Sequence, residues 1–541
     1  MDHRGTLLTA SLLSTLLETL RDPSTGEPHL GEANFEQARF TGDVYFGAAT
    51  FSATARFDGA TFTDGVWFDA VKFTGDAWFM GATFTGGVWW SPAVFAGSAW
   101  FMRATFTGDA WFGLAKFTRS AWFSEVTFTG DAKFDGATFA GDAHFGGATF
   151  NGDAGFGTAI FTGTAEFAEA TFTGDANFKG ARFAVPSLGP LVCARQVDLS
   201  GAVFEMPVTI EVAAGAVRCV RTRWEATAAL RLRYATVDLS EAVPSYPVAV
   251  TAHAAPFIRR GTAVDESPLA DASCQVRVTS LGGVDAAQLV LADADLTDCL
   301  FTGAFHLDQL RIEGNCRFAN APEGRRWTRR RVLAEEQHWR ALAQGNPDPP
   351  RGWKPGPHHP DPDLTPGPDE LASTYRALRK ALEDAKNEPD AADFYYGEME
   401  MRRHDHSRPW SERALLRLYW WLSGYGLRAS RALGWLIFAM GLTVMLLMLV
   451  GLPAHPPAPG TTSVVATDTP GPGGAAPGPM GERLSWQRAE RAGRTAINSV
   501  VFRSAGQDLT VAGTYIEMTS RLAEPVLLAL ALLAVRGRVK R

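Results

Sequence analysis

A large aromatic side chain recurs at alternating intervals of five and six residues from Phe35 to Phe183. All 28 of these positions hold phenylalanine except Trp90, and the residue two places earlier is always alanine or valine. Residues two apart lie on the same side of a strand, so each pair describes one very short strand with one apolar face. Such strands are unstable alone, but a solenoid pairs each with the strands above and below it and buries a continuous aromatic column. The period therefore predicts stacked coils with phenylalanine inside.

Thr-Gly-Asp recurs between the predicted strands, where glycine allows the tight turns that connect them. It stands at 41–43, 74–76, 107–109, 129–131 and 173–175. Together with the aromatic period, these turns resemble the pentapeptide-repeat family, whose repeat has Ala at i−2 and Leu or Phe at i. The resemblance implies a mainly β fold, a right-handed quadrilateral β-helix with one unit per side. Alternating units of five and six residues give about 22 residues per coil of four sides.

The aromatic period and changes of composition divide the chain into predicted domains. The first part comprises an N-terminal capping helix at 1–30, the regular β-helix at 31–185 and an irregular β-helix continuation at 186–322, where we expect wider coils. A basic helix at 323–345, a Pro-rich linker at 346–368 and an αα-hairpin at 369–407 follow. The C-terminal part comprises an interfacial helix and first transmembrane helix at 408–452, an external Pro/Gly linker at 453–482, and a pore-helix-like segment, second transmembrane helix and basic tail at 483–541.

Six tryptophans occupy the outward position, one residue before the large aromatic, in successive six-residue units. They are Trp67, Trp78, Trp89, Trp100, Trp111 and Trp122. Because each coil contains two of these units, alternate tryptophans align, which predicts two ladders on opposite sides of the rod. An exposed aromatic patch marks a partner surface, whereas stacked rings also stabilise coils without any partner. Both interpretations are open, and the six tryptophans are the candidate surface for an unidentified protein partner.

The segment 433–452 has 20 residues without a charge, and a helix of that length spans about 30 Å, the thickness of the hydrocarbon core. Aromatic residues mixed with arginine precede it, as is typical of a membrane interface. The predicted interfacial residues are Trp410, Trp420, Trp421 and Tyr425. A second apolar segment lies at 522–535. Because arginine is in excess at 402–431, we expect a two-span protein of the cell membrane with both termini and the β-helix in the cytoplasm.

The two apolar segments and the intervening 495–502 resemble the outer, pore and inner helices of two-span potassium channels. A potassium filter needs successive backbone carbonyls on a Thr-Val-Gly-Tyr-Gly motif, and residues 503–508 read Arg-Ser-Ala-Gly-Gln-Asp instead. We therefore interpret this part as a membrane anchor. A degenerate channel-like protein regulated by its solenoid is the alternative.

Composition and motifs exclude several classes of function. With 51 basic and 58 acidic residues the net charge is −7, which argues against a basic nucleic-acid binder. The five cysteines lack metal-like or disulfide-like spacing, so we expect reduced thiols. No nucleophile–base pair, phosphate-binding loop, dinucleotide fingerprint or zinc spacing is found, and we expect no enzyme, cofactor or metal site.

The sequence thus predicts a membrane-anchored scaffold, similar to bacterial proteins that join a pentapeptide-repeat solenoid to a membrane hairpin. Its expected partners are membrane lipid and an unidentified protein, and self-association into a homo-oligomer is left open. Some members of the resembled family imitate DNA and inhibit topoisomerases. Nucleic acid and this DNA mimicry are the less favoured hypotheses here, because the acidic residues share their faces with tryptophan and lysine.

Overall fold

The computed structural model describes residues 1–322, 330–343, 352–354, 366–452, 484–501 and 509–539. The chain forms two units, Met1–Phe394 and Tyr395–Arg541. Several predicted features lie outside the described residues: the basic run at 325–329, most of the Pro-rich linker, the external linker at 453–482 and the segment 503–508.

In the first unit, very short parallel strands stack at a spacing of about 22 residues, as the aromatic period predicts. Thr83, for example, pairs with Thr61 in the coil before it and with Thr105 in the coil after it. Four stacks of this kind form the sides of the coil, which we number as faces 1 to 4 in chain order. The solenoid completes about 13 turns.

The four faces consist of strands of two or three residues. Face 1 contains Leu7–Thr9, Arg39–Thr41, Thr61–Phe62, Thr83–Phe84, Thr105–Phe106, Thr127–Phe128, Thr149–Phe150 and Thr171–Phe172. Face 2 contains Val44–Tyr45, Val66–Trp67, Val88–Trp89, Ala110–Trp111, Ala132–Lys133, Ala154–Gly155 and Ala176–Asn177. Face 3 contains His29–Leu30, Thr50–Phe51, Lys72–Phe73, Val94–Phe95, Lys116–Phe117, Thr138–Phe139, Ile160–Phe161, Arg182–Phe183, Val203–Phe204, Arg223–Trp224 and Val243–Pro244. Face 4 contains Ala33–Asn34, Ala55–Arg56, Ala77–Trp78, Ala99–Trp100, Ala121–Trp122, Ala143–His144 and Ala165–Glu166.

The phenylalanine rings fill the interior of the coils. Phe57 stacks on Phe79 of the next coil with ring centroids 4.7 Å apart and planes 3° from parallel. Within the same coil, Phe57 meets Phe68 edge-on, with ring centroids 6.0 Å apart and planes at 84°. Offset-parallel and edge-to-face contacts are the two arrangements that aromatic rings favour. Parallel stacking joins one coil to the next and edge-to-face contacts join rings across a coil, so four large rings can share one layer.

Trp90 is the one large aromatic in the repeat that is not phenylalanine. Its ring lies between Phe68 at 4.0 Å and Phe112 at 5.7 Å, so the column is unevenly spaced there. Its indole N–H is buried and has no acceptor among the described residues. A buried donor without a partner costs free energy that phenylalanine at the same place would avoid.

After Phe183 the coils become shorter. Phe183 pairs with Phe204 and Phe204 with Trp224, so these coils contain fewer residues than the regular ones. At the same time Ser187–Asp198 pairs with both Thr171–Phe172 and Ala176–Asn177, so faces 1 and 2 merge into one long strand. For these coils the expectation of wider coils is therefore wrong, because a merged pair of faces needs no corner residues between them.

The strands of this continuation are fewer and longer. They are Ser187–Asp198, Val208–Arg218, Ala228–Arg233, Thr236–Asp238, Val248–Ala252, Arg277–Ser280, Leu289–Ala292 and Arg311–Glu313. Between the fifth and the sixth of them the chain leaves the coil and forms a hairpin of Ile258–Arg259 with Thr262–Ala263. Phe257, Val264 and Leu269 of this insertion pack on the outer side of the solenoid.

Helices cover both ends of the solenoid. At the N-terminus, α1 (Ala10–Thr19) buries Leu13 and Leu17, and His3 stacks on Phe35 at 5.6 Å. At the other end, α2 (Ala334–Ala343) provides Glu335, whose carboxylate accepts hydrogen bonds from the backbone N–H groups of the last coil at Phe301 and Thr302. Terminal caps of this kind protect the open end of a solenoid.

The next two helices complete the C-terminal cap. They are α3 (Pro368–Asp384) and α4 (Glu388–His404). Phe394 meets both Phe318 of the solenoid and Tyr375 edge-on, at 4.8 and 5.4 Å. Sequence reasoning placed Arg331 in a basic helix, but it pairs with Asn320 in an antiparallel pair of short strands (Ala319–Asn320 and Arg331–Val332).

The described residues of the second unit form helices. They are the end of α4, α5 (Trp410–Ser423), α6 (Ala429–Leu446) with a π-helical extension (Leu447–Gly451), α7 (Trp486–Val501) and α8 (Val511–Val539). Two stretches, Ala429–Gly451 and Val511–Val535, are long and apolar enough to cross a membrane. Most residues of both stretches are exposed, whereas the core helix of a soluble protein is mostly buried.

Trp90→Phe should stabilise the solenoid, because it removes the buried N–H that has no acceptor. It also restores the phenylalanine that all the other repeat positions have. We expect a gain of about 1 kcal/mol in the free energy of unfolding. Phe112→Ala in the next coil leaves a cavity and should cost about 3–5 kcal/mol. Melting curves of the full chain followed by circular dichroism measure both changes. A lower melting temperature for Trp90→Phe would show that the column is adapted to the indole.

The buried carboxylate of Glu336 makes the C-terminal cap sensitive to acid. Burial would raise the pKa of Glu336, but Arg330, Arg340 and the Tyr375 hydroxyl act against it and lower the pKa to about 2. A depressed pKa adds stability above the unfolded value of about 4.3, and this stability is lost as the pH falls towards 2. Between pH 5 and pH 2 the melting temperature should fall less in Glu336→Gln than in the natural protein. Burial raises the pKa of Glu335, so Glu335→Gln is a control that should not diminish the fall.

Candidate functional site

The six tryptophans form the two predicted ladders. On face 2, Trp67, Trp89 and Trp111 stack with ring centroids 4.5 and 4.8 Å apart. On face 4 the corresponding separations are 4.9 Å from Trp78 to Trp100 and 5.1 Å from Trp100 to Trp122. Their planes are within 13° of parallel. Each tryptophan lies in a short strand that pairs with the equivalent strand of the next coil. This strand pairing places each ring directly over the next.

Stacking determines how much of each ring a partner could reach. All six tryptophans are half-buried, since every ring covers the face of its neighbour. The ladders therefore present ring edges, and part of the cost of exposing tryptophan to water is already offset within the solenoid. The predicted stacking of the rings is observed in both ladders, and a role in binding a partner stays a prediction.

Charged and polar groups close the ladder on face 4 at both ends. The guanidinium of Arg56 lies 5.7 Å from the ring centroid of Trp78. At the other end His144 stacks on Trp122 at 3.8 Å, and Nδ1 of His144 is 3.1 Å from a carboxylate oxygen of Glu166. Arg259 of the inserted hairpin donates to the same carboxylate at 2.8 Å.

The ladder on face 2 has more open ends. Tyr45 extends it at 4.5 Å from Trp67, and 59% of this tyrosine is exposed. Beyond Trp111 the outward positions are Lys133 and then Gly155, which has no side chain. An open groove of about 650 Å³ begins near this point and is lined by side chains of both charges, among them Asp135 and Lys179. The sequence analysis did not identify this groove.

Aspartates at the corners of the solenoid have a structural role that the sequence analysis missed. The carboxylate of Asp76 accepts the backbone N–H of Ser98, one coil later, at 2.8 Å. Asp109, Asp131 and Asp153 form a row in which each accepts the backbone N–H of the aspartate in the next coil. These bonds satisfy amides that the short strands leave unpaired. The acidic character of the rod thus has an explanation that requires no imitation of DNA.

Of the predicted interfacial residues, Trp410 and Trp421 are exposed, by 80% and 50%. Trp420 points inward, where its indole N–H donates to the Tyr396 hydroxyl at 2.9 Å. The guanidinium groups of Arg403 and Arg431 lie over its ring, 4.7 and 4.9 Å from the centroid.

Tyr425 does not lie at the surface, and its assignment to the membrane interface is wrong. The chain turns back at Gly424 and Tyr425, which both have left-handed backbone conformations. This turn places the ring against Tyr396 at 5.0 Å, only 1% exposed. The hydroxyl donates to Glu400 at 3.2 Å, and burial together with that carboxylate raises the pKa of Tyr425.

Two leucines, which the sequence analysis left out, share the exposed side of α5. Leu415 and Leu418 are 65% and 54% exposed, beside Trp410 and Trp421. Arg417 is also exposed there and forms no ion pair with any described residue. Helical periodicity could have found this face, because Leu415, Leu418 and Trp421 recur at intervals of three residues.

The ladder geometry can be tested with cysteine pairs in a Cys274→Ser background, which removes the exposed natural thiol. Trp67→Cys with Trp89→Cys places two cysteines on adjacent paired strands, within the Cα separation of about 4.4–6.8 Å that a disulfide spans. We expect rapid crosslinking of this pair on mild oxidation. Trp67→Cys with Trp78→Cys, on opposite faces, should remain reduced, and a crosslink there would contradict the four-faced coil.

Comparison with known proteins agrees with the geometry. Residues 28–72, 68–116 and 112–160 match the model of a family described as pentapeptide repeats (9 copies). Neither the curated proteins nor the solved structures that were compared gave a match. The matched residues form the regular coils, in which each short parallel strand recurs once per coil around an aromatic interior. By this match and this fold, the regular coils of the chain are a pentapeptide-repeat solenoid.

Proposed function

We propose that this protein is a non-enzymatic scaffold, anchored in the cell membrane, that presents its β-helix to a protein partner in the cytoplasm. The observation that carries the proposal is the presence, in one chain, of a rod with two outward tryptophan ladders and two helices apolar enough to span a membrane. The matched family is defined by a structural repeat, not by a catalytic motif.

Contacts within the rod support a binding role rather than a catalytic one. Each coil touches only its neighbours, so the surface is a repeated, rigid array of side chains. Outward side chains stand in register from coil to coil, as Trp89 does over Trp67. Such an array suits the recognition of an extended partner surface.

Exposed apolar side chains support the anchor. On the first span Ile437 and Phe438 are 70% and 59% exposed, and on the second Leu522 is 77% exposed. The exposed face of α5, with Trp410, Leu415, Leu418 and Trp421, directly precedes the first span and suits the lipid–water boundary. The excess of arginine on this side supports its cytoplasmic orientation.

Binding to oriented membrane vesicles tests the proposal. Cytosolic proteins are captured on inside-out and right-side-out vesicles that contain the full chain, and on vesicles without it. A partner should bind to inside-out vesicles alone. Trp89→Thr should weaken this binding, because it removes the central ring of the face 2 ladder. The variant should fold, since threonine occupies the equivalent outward position in most strands of face 1.

Trp100→Thr is the matched variant on face 4. Its ladder is closed by Arg56 and His144, so we expect a smaller effect on capture than from Trp89→Thr. If both variants fold and retain the whole captured set, the tryptophans only stabilise the coils and the proposed binding surface is wrong. Capture on right-side-out vesicles would contradict the proposed orientation.

A further inference from the structure

A carboxyl group lies near the middle of the second apolar span. Glu524 belongs to the stretch Val511–Val535, and only 1% of its surface is exposed. Along α8 the buried residues around it follow a spacing of three and four, which is one stripe of a helix. They are Ser520, Glu524, Leu527, Ala531 and Ala534.

This stripe packs on the first span. The two helices approach closely at Gly451 and Gly513, where a Cβ on Gly513 would lie 2.4 Å from the carbonyl oxygen of Gly451. Farther along, the Thr443 hydroxyl donates to Oε1 of Glu524 at 2.7 Å, and Thr443 is itself buried. The carboxyl group is therefore enclosed by the two helices and does not face lipid.

The second carboxyl oxygen, Oε2, is buried and has no hydrogen-bond partner among the described residues. No described basic side chain forms an ion pair with Glu524. Arg521, one turn away, pairs with Glu517 at 2.7 Å. Arg488 of α7 is directed to the end of the first span, where it donates to the carbonyl of Leu452 at 2.8 Å.

An ionised carboxylate in this position would be a charge at membrane depth with one hydrogen bond and no counter-ion. Charged groups are costly in the hydrocarbon region, and those found there mark functional sites such as proton relays. A neutral carboxylic acid avoids that charge, and it leaves Oε1 as the carbonyl oxygen that accepts from Thr443. The geometry thus fits a proton on Oε2.

We propose that Glu524 and Thr443 form a proton-binding site between the two spans, with Glu524 neutral while the spans are paired. Release of the proton would place an uncompensated charge between the helices, so the site links proton occupancy to the pairing of the spans. This inference rests on the proposed membrane anchor, because the hydrocarbon core is what keeps water away from the middle of the paired spans.

Infrared difference spectroscopy of the full chain in phosphatidylcholine vesicles at neutral pH tests the proposal. The spectrum of the natural protein minus that of Glu524→Gln should contain the C=O stretching band of a carboxylic acid, shifted to lower frequency in D₂O. Subtraction removes the contribution of other buried carboxyl groups, such as Glu335. Glu517→Gln, a matched change in the same helix at a carboxylate paired with Arg521, should retain the band.

Thr443→Val tests the geometry of the pair. The carboxylic acid band should persist and move to higher frequency, because the carbonyl oxygen loses its hydrogen bond. A difference spectrum that shows only the bands of an ionised carboxylate, or an unchanged frequency in Thr443→Val, would overturn the site.

Alkaline carbonate extraction of the same vesicles separates this result from the anchor. If the natural protein and Glu524→Gln both stay in the membrane, a missing band counts against the proton site alone. Release of the natural protein into the supernatant would overturn the anchor and the site together.

Discussion

The stacking of each phenylalanine ring on the ring one coil later sets the geometry of the first unit. Ring centroids in the columns, such as Phe112 and Phe134 at 4.8 Å, are separated by the same distance as neighbouring strands in a sheet. Ring contact and strand pairing therefore reinforce each other at every layer. A strand of two residues contributes few hydrogen bonds, and the buried aromatic surface adds cohesion between coils at every layer.

Other features of the chain follow from this interior. When every inward position is fixed, the outward residues also stand in register, and similar side chains stack as the tryptophans do. Short strands leave amides unpaired at the corners, and carboxylates such as those of Asp76 and Asp131 accept them. The interior of a solenoid would meet water at its open ends, which explains why His3 and α1 cover the first coil and the helices around Phe394 cover the last.

Much of this architecture was predictable because the repeat is local and strict. The four-sided coil, the inward phenylalanines, the two ladders and the two apolar spans all depend on residues a short distance apart in sequence. Contacts between distant segments were not predictable in the same way. The αα-hairpin carries no sign that Phe394 meets Phe318, and the basic run before α2 carries no sign that Arg331 pairs with Asn320.

Composition also misled where local geometry decides the outcome. Tyr425 has the aromatic and arginine-rich surroundings of an interfacial residue, yet a left-handed turn at Gly424 directs it into the protein. The irregular spacing after Phe183 suggested wider coils, whereas merged faces shorten them. Glu524 interrupts the apolar composition of the second span, and its hydrogen bond with Thr443 accounts for a polar residue there. In each case a tertiary contact outweighs the local pattern.

Duplication of repeat segments tests most directly the claim that aromatic stacking around a four-sided coil determines the fold. A copy of residues 107–128 adds one whole coil and keeps every ring in its column, so the rod should lengthen by about 4.8 Å with an unchanged or higher melting temperature. A copy of residues 124–128 alone adds one five-residue unit and moves all later rings to the wrong face, so the melting temperature should fall. Equal melting temperatures for the two variants would contradict the account.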